Sequence, residues 1–377
     1  MRRLLAAALA ALCGVGIAHA QVPPSPVVPA KSWVLFDLAG NQQLAAQDAQ
    51  MRVDPGVLTQ LMTAYVGFTA VRTGQITLDQ QVTPGKAAVA AARNGPALFL
   101  TPGKPVPVAT LLDGVAVLGA GDAAYALAEA VAGSEAAFVE LMNTEAQRLG
   151  MPDTVFKNAT GATVAGQYST ARDLAVLATA MVRMFPQDYA RFGLKSIAHR
   201  DLTQQSRNRL LWLDASIDGL GVAAARTGGN MVAASAVRGP RRLVAVVAGA
   251  PSAAQASQSA QQLLNFAFQS YDAVKLYGAG QPVRRLTVWK GAQREVEGGF
   301  LRDLVIAVPR DEAGGLKLQF VGREPMVAPL VRGDRIGTLR VTLEGRTLGE
   351  YPVVALGDVP PAGWFGRTWD QLRLWLK

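Results

Sequence analysis

The sequence has 377 residues, of which 50% are hydrophobic and 17% are charged, a balance typical of a globular chain rather than a disordered one. This length is enough for two or three domains. The formal net charge is +9, but Lys and Arg are scattered rather than clustered with aromatic residues, which disfavours nucleic acid as a partner. No segment after the N-terminus approaches the roughly 20 consecutive apolar residues of a membrane-spanning helix.

The N-terminus predicts an export signal peptide over residues 1–20. Arg2 and Arg3 provide the charged start, Leu4–Ile17 is apolar, and Ala18-His19-Ala20 fits an A-x-A cleavage site. The alternative is a buried N-terminal helix. Export predicts that the mature protein works outside the cytoplasm.

Removal of the signal peptide leaves no cysteine, since Cys13 lies within it, and one histidine, His199. Disulfides, thiol catalysis and nearly all zinc chemistry are thereby excluded, and we expect neither a metal site nor a cofactor. Residues 1–20 contain two arginines and no acidic residue, so the remaining chain carries a formal charge of +7. This charge suits contact with an anionic membrane or wall surface.

The mature chain begins with a Pro-rich linker over Gln21–Lys31, and Trp33–Asp37 predicts a strand. A helix is expected after Asp54-Pro55, with one apolar face against a core. That face comprises Leu58, Leu61, Met62 and Tyr65.

The middle of the chain predicts a helical lobe followed by further strands and helices. Residues 106–133 are rich in Ala, Val, Leu and Gly, which is typical of tightly packed helices. Ser134 is the expected N-cap of a helix that ends at Gly150. Further predictions are a helix running to about Met184, a buried strand over Leu243–Ala248 and a helix over Ala254–Tyr271.

Two further units are expected towards the C-terminus. After about residue 276, period-2 alternation broken by Gly and Pro predicts a β-sandwich over residues 276–363. Residues 364–377 predict an amphipathic helix lying on a membrane, and the alternative is a terminal helix packed on its own domain. The apolar arc of this helix comprises Trp364, Phe365, Trp369, Leu372, Trp375 and Leu376.

The chain resembles the low-molecular-weight penicillin-binding proteins, the serine-type D-alanyl-D-alanine carboxypeptidases of the bacterial periplasm. The resemblance implies an α/β fold over residues 21–275, with a mainly antiparallel sheet and a helical lobe as in β-lactamases and DD-peptidases. It also implies the C-terminal all-β domain and the amphipathic tail. The stretches that carry it are Trp33–Asn41, Asp54–Thr63, Thr101-Pro102-Gly103, Gly166–Asp173, Asn208–Trp212 and Asp218-Gly219.

The family's three active elements are degenerate at the matching positions. The first is Ser-x-x-Lys at a helix start, where serine is the nucleophile and lysine its base. Here these positions hold Val57 and Gln60, and neither a valine nor an amide can take over those roles. The second is a Ser-Gly-Asn turn, whose serine and asparagine positions hold Gly119 and Gly121. The third is Lys-Thr-Gly on an edge strand that binds substrate, and it reads Gly221-Val222-Ala223.

The third element and the nucleophile each have alternative candidates in the sequence. Arg226-Thr227-Gly228 resembles a shifted Lys-Thr-Gly, but using it slides the strand by five residues and inverts its faces. Thr59 is adjacent to the lost positions, and its hydroxyl is expected to bond within the helix or core. Ser169 and Ser206 lack a base nearby in sequence. Asp122 and Asp173 are interpreted as caps of helix starts.

The sequence therefore predicts a catalytically inactive relative of the carboxypeptidases that binds wall peptides or scaffolds cell-wall proteins. It is expected in the periplasm, attached peripherally to the outer face of the inner membrane. One alternative is an active carboxypeptidase that trims peptidoglycan stem peptides. Another is an interaction protein with no affinity for such peptides.

Overall fold

The computed structural model describes residues 23–93, 95–225, 228–323 and 325–363. The predicted signal peptide and amphipathic tail helix lie outside these residues. The strands are β1 (Ser32–Asp37), β2 (Gln42–Gln47), β3 (Gln81–Val82), β4 (Val106–Pro107), β5 (Ser196–His199), β6 (Leu202–Gln205), β7 (Ile217–Ala225), β8 (Gly229–Arg238), β9 (Arg241–Ala250), β10 (Tyr271–Tyr277), β11 (Pro282–Thr287), β12 (Glu295–Gly299), β13 (Leu304–Pro309), β14 (Leu316–Gly322), β15 (Arg335–Leu343) and β16 (Arg346–Ala355). The helices are α1 (Gln60–Arg72), α2 (Lys86–Ala91), α3 (Val108–Asp113), α4 (Gly121–Ala132), α5 (Glu135–Leu149), α6 (Ala171–Met184), α7 (Pro186–Tyr189), α8 (Leu210–Leu213) and α9 (Ala253–Ser270).

The larger domain is built on an antiparallel sheet with the strand order β2-β1-β9-β8-β7. Its central strand β9 is buried on both faces, because consecutive side chains point to opposite sides. Val244 and Val246 join the core under the helical lobe, whereas Leu243 and Val247 join a second core under α9. The predicted strand and helix in this region are confirmed.

Helix α1 lies at the centre of the larger core. Of its 13 residues, Leu61, Met62, Tyr65 and Phe68 are among ten that are buried. The predicted apolar face of Leu58, Leu61, Met62 and Tyr65 lies against this core, and burial extends beyond it to Gln60 and Thr63. Since α1 lies between α4, α5 and α6 and next to the cleft described below, it has no face towards solvent over most of its length.

The predicted helix ends in the lobe are confirmed. The Ser134 hydroxyl caps α5 by accepting from Ala137 N at 3.2 Å, and Gly150 ends the helix at φ +76°. Helix α6 ends at Met184, as expected. The Thr170 hydroxyl caps that helix by accepting from Asp173 N at 3.0 Å.

The C-terminal domain is all-β, as predicted. A five-stranded antiparallel sheet, β11-β12-β16-β15-β14, and the β10-β13 pair surround a third hydrophobic core. The expected boundary between residues 275 and 276 falls inside β10, which is part of this β-rich unit. Within the described part of the chain, no helix combines the length and the hydropathy needed to cross a bilayer.

Candidate functional site

The segment before α1 is shaped by the Asp54 carboxylate. Its Oδ1 accepts from Gly56 N at 3.0 Å, and its Oδ2 accepts from the Thr163 hydroxyl at 2.6 Å. Gly56 has φ +51°, which favours glycine, and it begins the 3-10 turn Gly56–Thr59 that leads into α1. This turn places Val57, half-buried, at the wall of a cleft.

Gln60 joins three segments at the base of this cleft. It is 3% exposed, and its Nε2 amide donates to the carbonyl oxygens of Gly119 and Thr160, each at 2.9 Å. The Gln60 Oε1 atom is buried without a hydrogen-bond partner among the described residues. The amide of this side chain therefore acts as a structural cross-link.

Gly119 has no side chain at a position where Val57 leaves no room for one. It follows the π-helical turn Gly114–Leu118 and has φ +66°. A Cβ atom at Gly119 would lie 2.4 Å from Val57 Cγ1, well inside van der Waals contact. The valine branch fills the space that a side chain at residue 119 would need.

Gly121 is similarly confined at the start of α4. Its N–H donates to the Pro96 carbonyl at 2.9 Å, and a Cβ atom there would lie 3.0 Å from the Ala91 carbonyl oxygen. A polar side chain at Gly121 would require the loop from Ala91 to Pro96 to shift.

Strand β7 forms the opposite wall and is an edge strand of the sheet. Gly221, Val222 and Ala223 pair with Ala233, Val232 and Met231 of β8. A Cβ atom at Gly221 would lie 3.5 Å from Leu58 Cδ2, which places this part of β7 directly beside the 3-10 turn.

The alternative assignment at residues 226–228 falls in the connection from β7 to β8. Ala225 at the end of β7 pairs with Gly229 at the start of β8. Arg226 and Thr227 lie outside the described residues. A Cβ atom at Gly228 would lie 2.4 Å from the Asp54 carbonyl oxygen.

Two connected spaces lie between these elements. The inner one, lined by Val57, Gln60, Gly119 and Gly221, has a volume of about 30 Å³, which is room for about one water molecule. The outer cleft has a volume of about 750 Å³ and extends from Val57 towards the surface. Its polar lining comprises Arg93, Thr160, Thr163, Gln204, Gln205 and Arg207.

The cleft has a positive bias. Arg93 and Arg207 line it, and no acidic or lysine side chain is among its described lining residues. Neither arginine has an acidic partner within ion-pair distance in the described part of the chain. Because guanidinium groups bind carboxylates in a two-pronged geometry, the cleft is suited to an anionic ligand.

Phe99 at the rim of the cleft was not found by the sequence analysis. It is 61% exposed and has φ +60°, a conformation that non-glycine residues rarely adopt. The buried Asp122 carboxylate holds it there, since its two oxygens accept from Leu98 N at 2.8 Å and Leu100 N at 3.0 Å. Nothing in the local sequence Leu98-Phe99-Leu100 predicts that Phe99 is exposed and has a left-handed backbone conformation.

The interpretation of the two aspartates as caps of their own helices needs correction. Asp122 accepts from Ala123 N at the start of α4, but it also accepts from the two loop amides described above. Asp173 accepts from Asp153 N at 2.9 Å and from the Thr154 hydroxyl at 2.8 Å, whereas Thr170 caps α6. Both carboxylates pair with amides of neighbouring loops because burial leaves those amides without water.

The candidate hydroxyls have no lysine or histidine partner among the described residues. The Thr59 hydroxyl is buried and unpartnered there, so the expected bond within the helix or core is absent. The Ser169 hydroxyl lies 2.9 Å from that of Thr154, and the Ser206 hydroxyl accepts from Asn208 N at 3.2 Å. The described ranges contain no group of three or more metal-ligating side chains.

His199 ends β5 and lines neither space. Burial lowers the pKa of its imidazole, the adjacent Arg200 charge lowers the pKa further, and Asp122 opposes both effects. Its Nε2 atom is buried without a hydrogen-bond partner among the described residues.

The helix start, the loop turn and the edge strand that meet at one cleft are the arrangement of the DD-peptidase fold. The sequence profile of the D-alanyl-D-alanine carboxypeptidase family matches residues 18–252, and that of the penicillin-binding protein 5 C-terminal domain matches residues 271–361. The chain therefore belongs to the D-alanyl-D-alanine carboxypeptidase family of low-molecular-weight penicillin-binding proteins.

Relatives resemble the chain over most of its length. It is 35% identical to D-alanyl-D-alanine carboxypeptidase DacC of Escherichia coli over 360 residues, covering 94% of this chain and 90% of the relative. Penicillin-binding protein 5 of Haemophilus influenzae superposes with a TM-score of 0.82 at 30% identity, covering 89% of this chain and 99% of that structure. Penicillin-binding protein 6B of Escherichia coli superposes with a TM-score of 0.72 at 32% identity, covering 88% and 96%.

Proposed function

We propose that this protein is a non-catalytic member of its family that binds wall peptides in the cleft between β7 and the start of α1. The observation that carries the proposal is the contact between Val57 and Gly119. Two of the three elements of the family's chemistry meet there, and a hydrocarbon branch fills the space between them.

Loss of the nucleophile and its base would lower the catalytic rate enough to make the protein inactive. Removing the nucleophile of a serine hydrolase lowers turnover on the order of 10⁶-fold, roughly 8 kcal/mol of transition-state stabilisation. At the base position, Gln60 uses its amide protons for the Gly119 and Thr160 carbonyls. Oriented N–H groups and binding alone do not provide competitive catalysis.

The outer cleft supports retained binding. Its volume of about 750 Å³ is within the range of pockets that hold a ligand of several hundred daltons. A peptide that ends in D-Ala-D-Ala carries a terminal carboxylate. The guanidinium groups of Arg93 and Arg207 can donate hydrogen bonds to it. The exposed Phe99 ring offers an apolar contact at the rim.

A first experiment separates this proposal from an active carboxypeptidase. Purified mature protein is incubated with fluorescent penicillin and, separately, with a D-Ala-D-Ala peptide while D-alanine release is followed. We expect neither covalent labelling nor release above the rate without protein. Labelling in stoichiometric amounts would require a nucleophile other than those considered above and would refute inactivity.

The double variant Val57→Ser/Gln60→Lys tests how completely the chemistry is lost. Because Gly119, Gly121 and Gly221-Val222-Ala223 remain, we expect no penicillin labelling from these two changes. Full labelling of the double variant would mean that the rest of the cleft is competent.

A second experiment separates peptide binding from a purely structural role. Calorimetry is performed with a D-Ala-D-Ala stem peptide and with its L-Ala-L-Ala isomer as a control ligand. Arg207→Gln should weaken binding about ten-fold, whereas Arg209→Gln removes the same charge outside the cleft and should not. If the wild-type protein shows no heat with either peptide, the interaction-protein alternative holds instead.

We further propose that the protein is periplasmic and attached peripherally to the inner membrane. Support comes from the signal-like residues 1–20 and from the three tryptophans opposite basic residues in 364–377. Deleting residues 364–377 should move most of the protein from the membrane fraction to the soluble fraction. Crosslinking in cells tests the further proposal that the protein binds other cell-wall proteins.

A further inference from the structure

The C-terminal sheet curls so that its two edge strands approach each other. The sheet order places β11 and β14 at opposite edges. A Cβ atom at Gly322 of β14 would nevertheless lie 3.8 Å from Leu286 Cδ2 of β11. A groove of about 630 Å³ runs along this junction, and we call it the seam groove.

The seam groove collects positive charge from both edges. Arg284 and Arg285 come from β11, and Arg323 follows β14. Arg285 pairs with Glu297 at 2.9 Å, but Arg284 and Arg323 are exposed and have no acidic partner within ion-pair distance among the described residues. No acidic side chain is among the groove's described lining residues, and Glu324, which separates Arg323 from Pro325 in the sequence, lies outside the described residues.

Apolar and aromatic groups complete the lining. Trp289 and Phe320 are half-buried in the groove, with Met326 beneath them. Cationic residues on sheet edges also prevent edge-to-edge pairing, so arginines alone would indicate only that protection. Their convergence with a tryptophan in one concave site is what points to a ligand.

The position of the groove indicates what the ligand is. The last described residues bond beside Trp289, since Ala362 N donates to the Lys290 carbonyl at 2.7 Å and Ala292 N donates to the Pro360 carbonyl at 2.8 Å. Gly363, the last described residue, therefore follows directly on a segment bonded beside this groove, and the Trp-rich and basic residues 364–377 come next in the sequence. Nearby Val327 and Val331 are 38% and 60% exposed.

We propose that the seam groove is a binding site for the phosphate headgroups of anionic phospholipids and forms a second membrane contact of this protein. Guanidinium groups bind phosphate through paired N–H bonds, and basic residues near an anionic leaflet each strengthen attachment. Trp289 and the exposed valines lie at the same end, where an interface accepts apolar side chains. This site does not depend on whether the cleft of the larger domain binds peptides.

The test measures cosedimentation of the mature chain, including residues 364–377, with vesicles. One set contains phosphatidylcholine alone and the other contains added phosphatidylglycerol. The variant Arg284→Gln/Arg323→Gln should bind the anionic vesicles about ten-fold more weakly, and binding to neutral vesicles should be unchanged. The control Lys86→Gln/Lys104→Gln removes the same charge from exposed positions of the larger domain and should bind as the wild type does.

A charge-preserving variant, Arg284→Lys/Arg323→Lys, guards against misfolding as an explanation. It should bind the anionic vesicles more tightly than the Gln variant and less tightly than the wild type, because the charges remain while the paired N–H bonds are lost. Binding as weak as that of the Gln variant would contradict the proposal. Equal binding of the wild type to both vesicle sets, or unchanged binding of the Gln variant, would overturn it. So would a Gln variant that binds vesicles normally but has lost binding to isolated peptidoglycan, because the groove would then recognise the wall.

Discussion

At the scale of single residues, Val57 and Gly119 form a complementary pair. A Cβ atom at residue 119 would clash with Val57 Cγ1 at 2.4 Å but would lie 3.8 Å from Val57 Cβ, an ordinary contact. The two positions are therefore linked through one methyl group. A side chain fits at residue 119 only if the Cγ1 methyl group of Val57 is removed.

A double-mutant cycle tests this link. Gly119→Ala should destabilise the wild-type protein by about 2–4 kcal/mol, because overpacking adds to the cost of a left-handed alanine. In the Val57→Ala background the same change should cost only about 1–2 kcal/mol, the conformational part. Denaturant unfolding of the four proteins provides the values, and strict additivity would show that the methyl group is not the obstacle.

His199 predicts a pH dependence of stability. Its pKa in the folded protein lies below the ordinary value of 6.5, mainly because of burial. At a pH just below that value, the unfolded chain binds more protons than the folded protein. The contribution of His199 to the free energy of unfolding is therefore complete above about pH 6.5 and is lost as the pH falls towards the folded pKa. Unfolding measured at pH 7.5 and pH 5 should show a smaller decrease for His199→Gln than for the wild type. An equal decrease in both would assign the effect to other groups.

At the scale of structural elements, α4 positions a loop of the cleft through one carboxylate. Asp122 is 1% exposed and binds the amides on both sides of Phe99. The left-handed backbone conformation of Phe99 is unfavourable for a non-glycine residue. It persists because the hydrogen bonds from the surrounding structure hold it in place. We infer that the ring serves ligand contact rather than folding.

Phe99→Gly separates these two roles. Glycine adopts φ +60° without strain, so stability should be unchanged or higher by up to about 1 kcal/mol. Affinity for the D-Ala-D-Ala peptide should nevertheless fall several-fold as the ring contact is lost. Thermal unfolding and calorimetry on the same sample measure both quantities, and a variant that is destabilised but binds normally would reverse the assignment.

At the scale of the whole molecule, a buried ion pair stabilises the junction between the larger domain and the C-terminal domain. Arg241 of β9 binds the Asp37 carboxylate at 2.6 Å, and their side chains are 7% and 1% exposed. The same guanidinium donates to the carbonyls of Ala267 and Tyr271, at the end of α9 where the C-terminal domain begins. It therefore joins β1, β9 and the domain junction.

Arg241→Ala should cost about 3–5 kcal/mol, because it leaves Asp37 buried without a counter-charge. The neighbouring Arg242 provides a matched control. It pairs with Asp218 at 2.6 Å and donates to the Ser235 hydroxyl at 2.8 Å, but the two charged side chains are about a quarter to a third exposed, so Arg242→Ala should cost about 1–2 kcal/mol. Denaturant midpoints compare the two variants, and similar losses would mean that burial of the pair is not what matters.

Local sequence signals predict many of the helix ends, the class of the C-terminal domain and the fold of the larger domain. Ser134 and Gly150 fixed the ends of α5, the alternation after residue 276 identified an all-β domain, and the collinear motifs identified the fold of the larger domain. These signals are readable because caps, strand periodicity and motif spacing depend on neighbours within a few positions. The presence of Val57 and Gln60 at the positions where the family resemblance implies a nucleophile and its base is likewise read from the sequence.

Contacts between positions far apart in the sequence are visible only in the folded protein. It brought Val57 against Gly119, placed Asp122 under the amides around Phe99, and closed the C-terminal sheet until β11 approached β14. Helix α1 is buried beyond its predicted apolar face for the same reason, since segments far along the chain also cover Gln60 and Thr63. Packing between remote segments sets these contacts, and no periodicity within either segment records its partner.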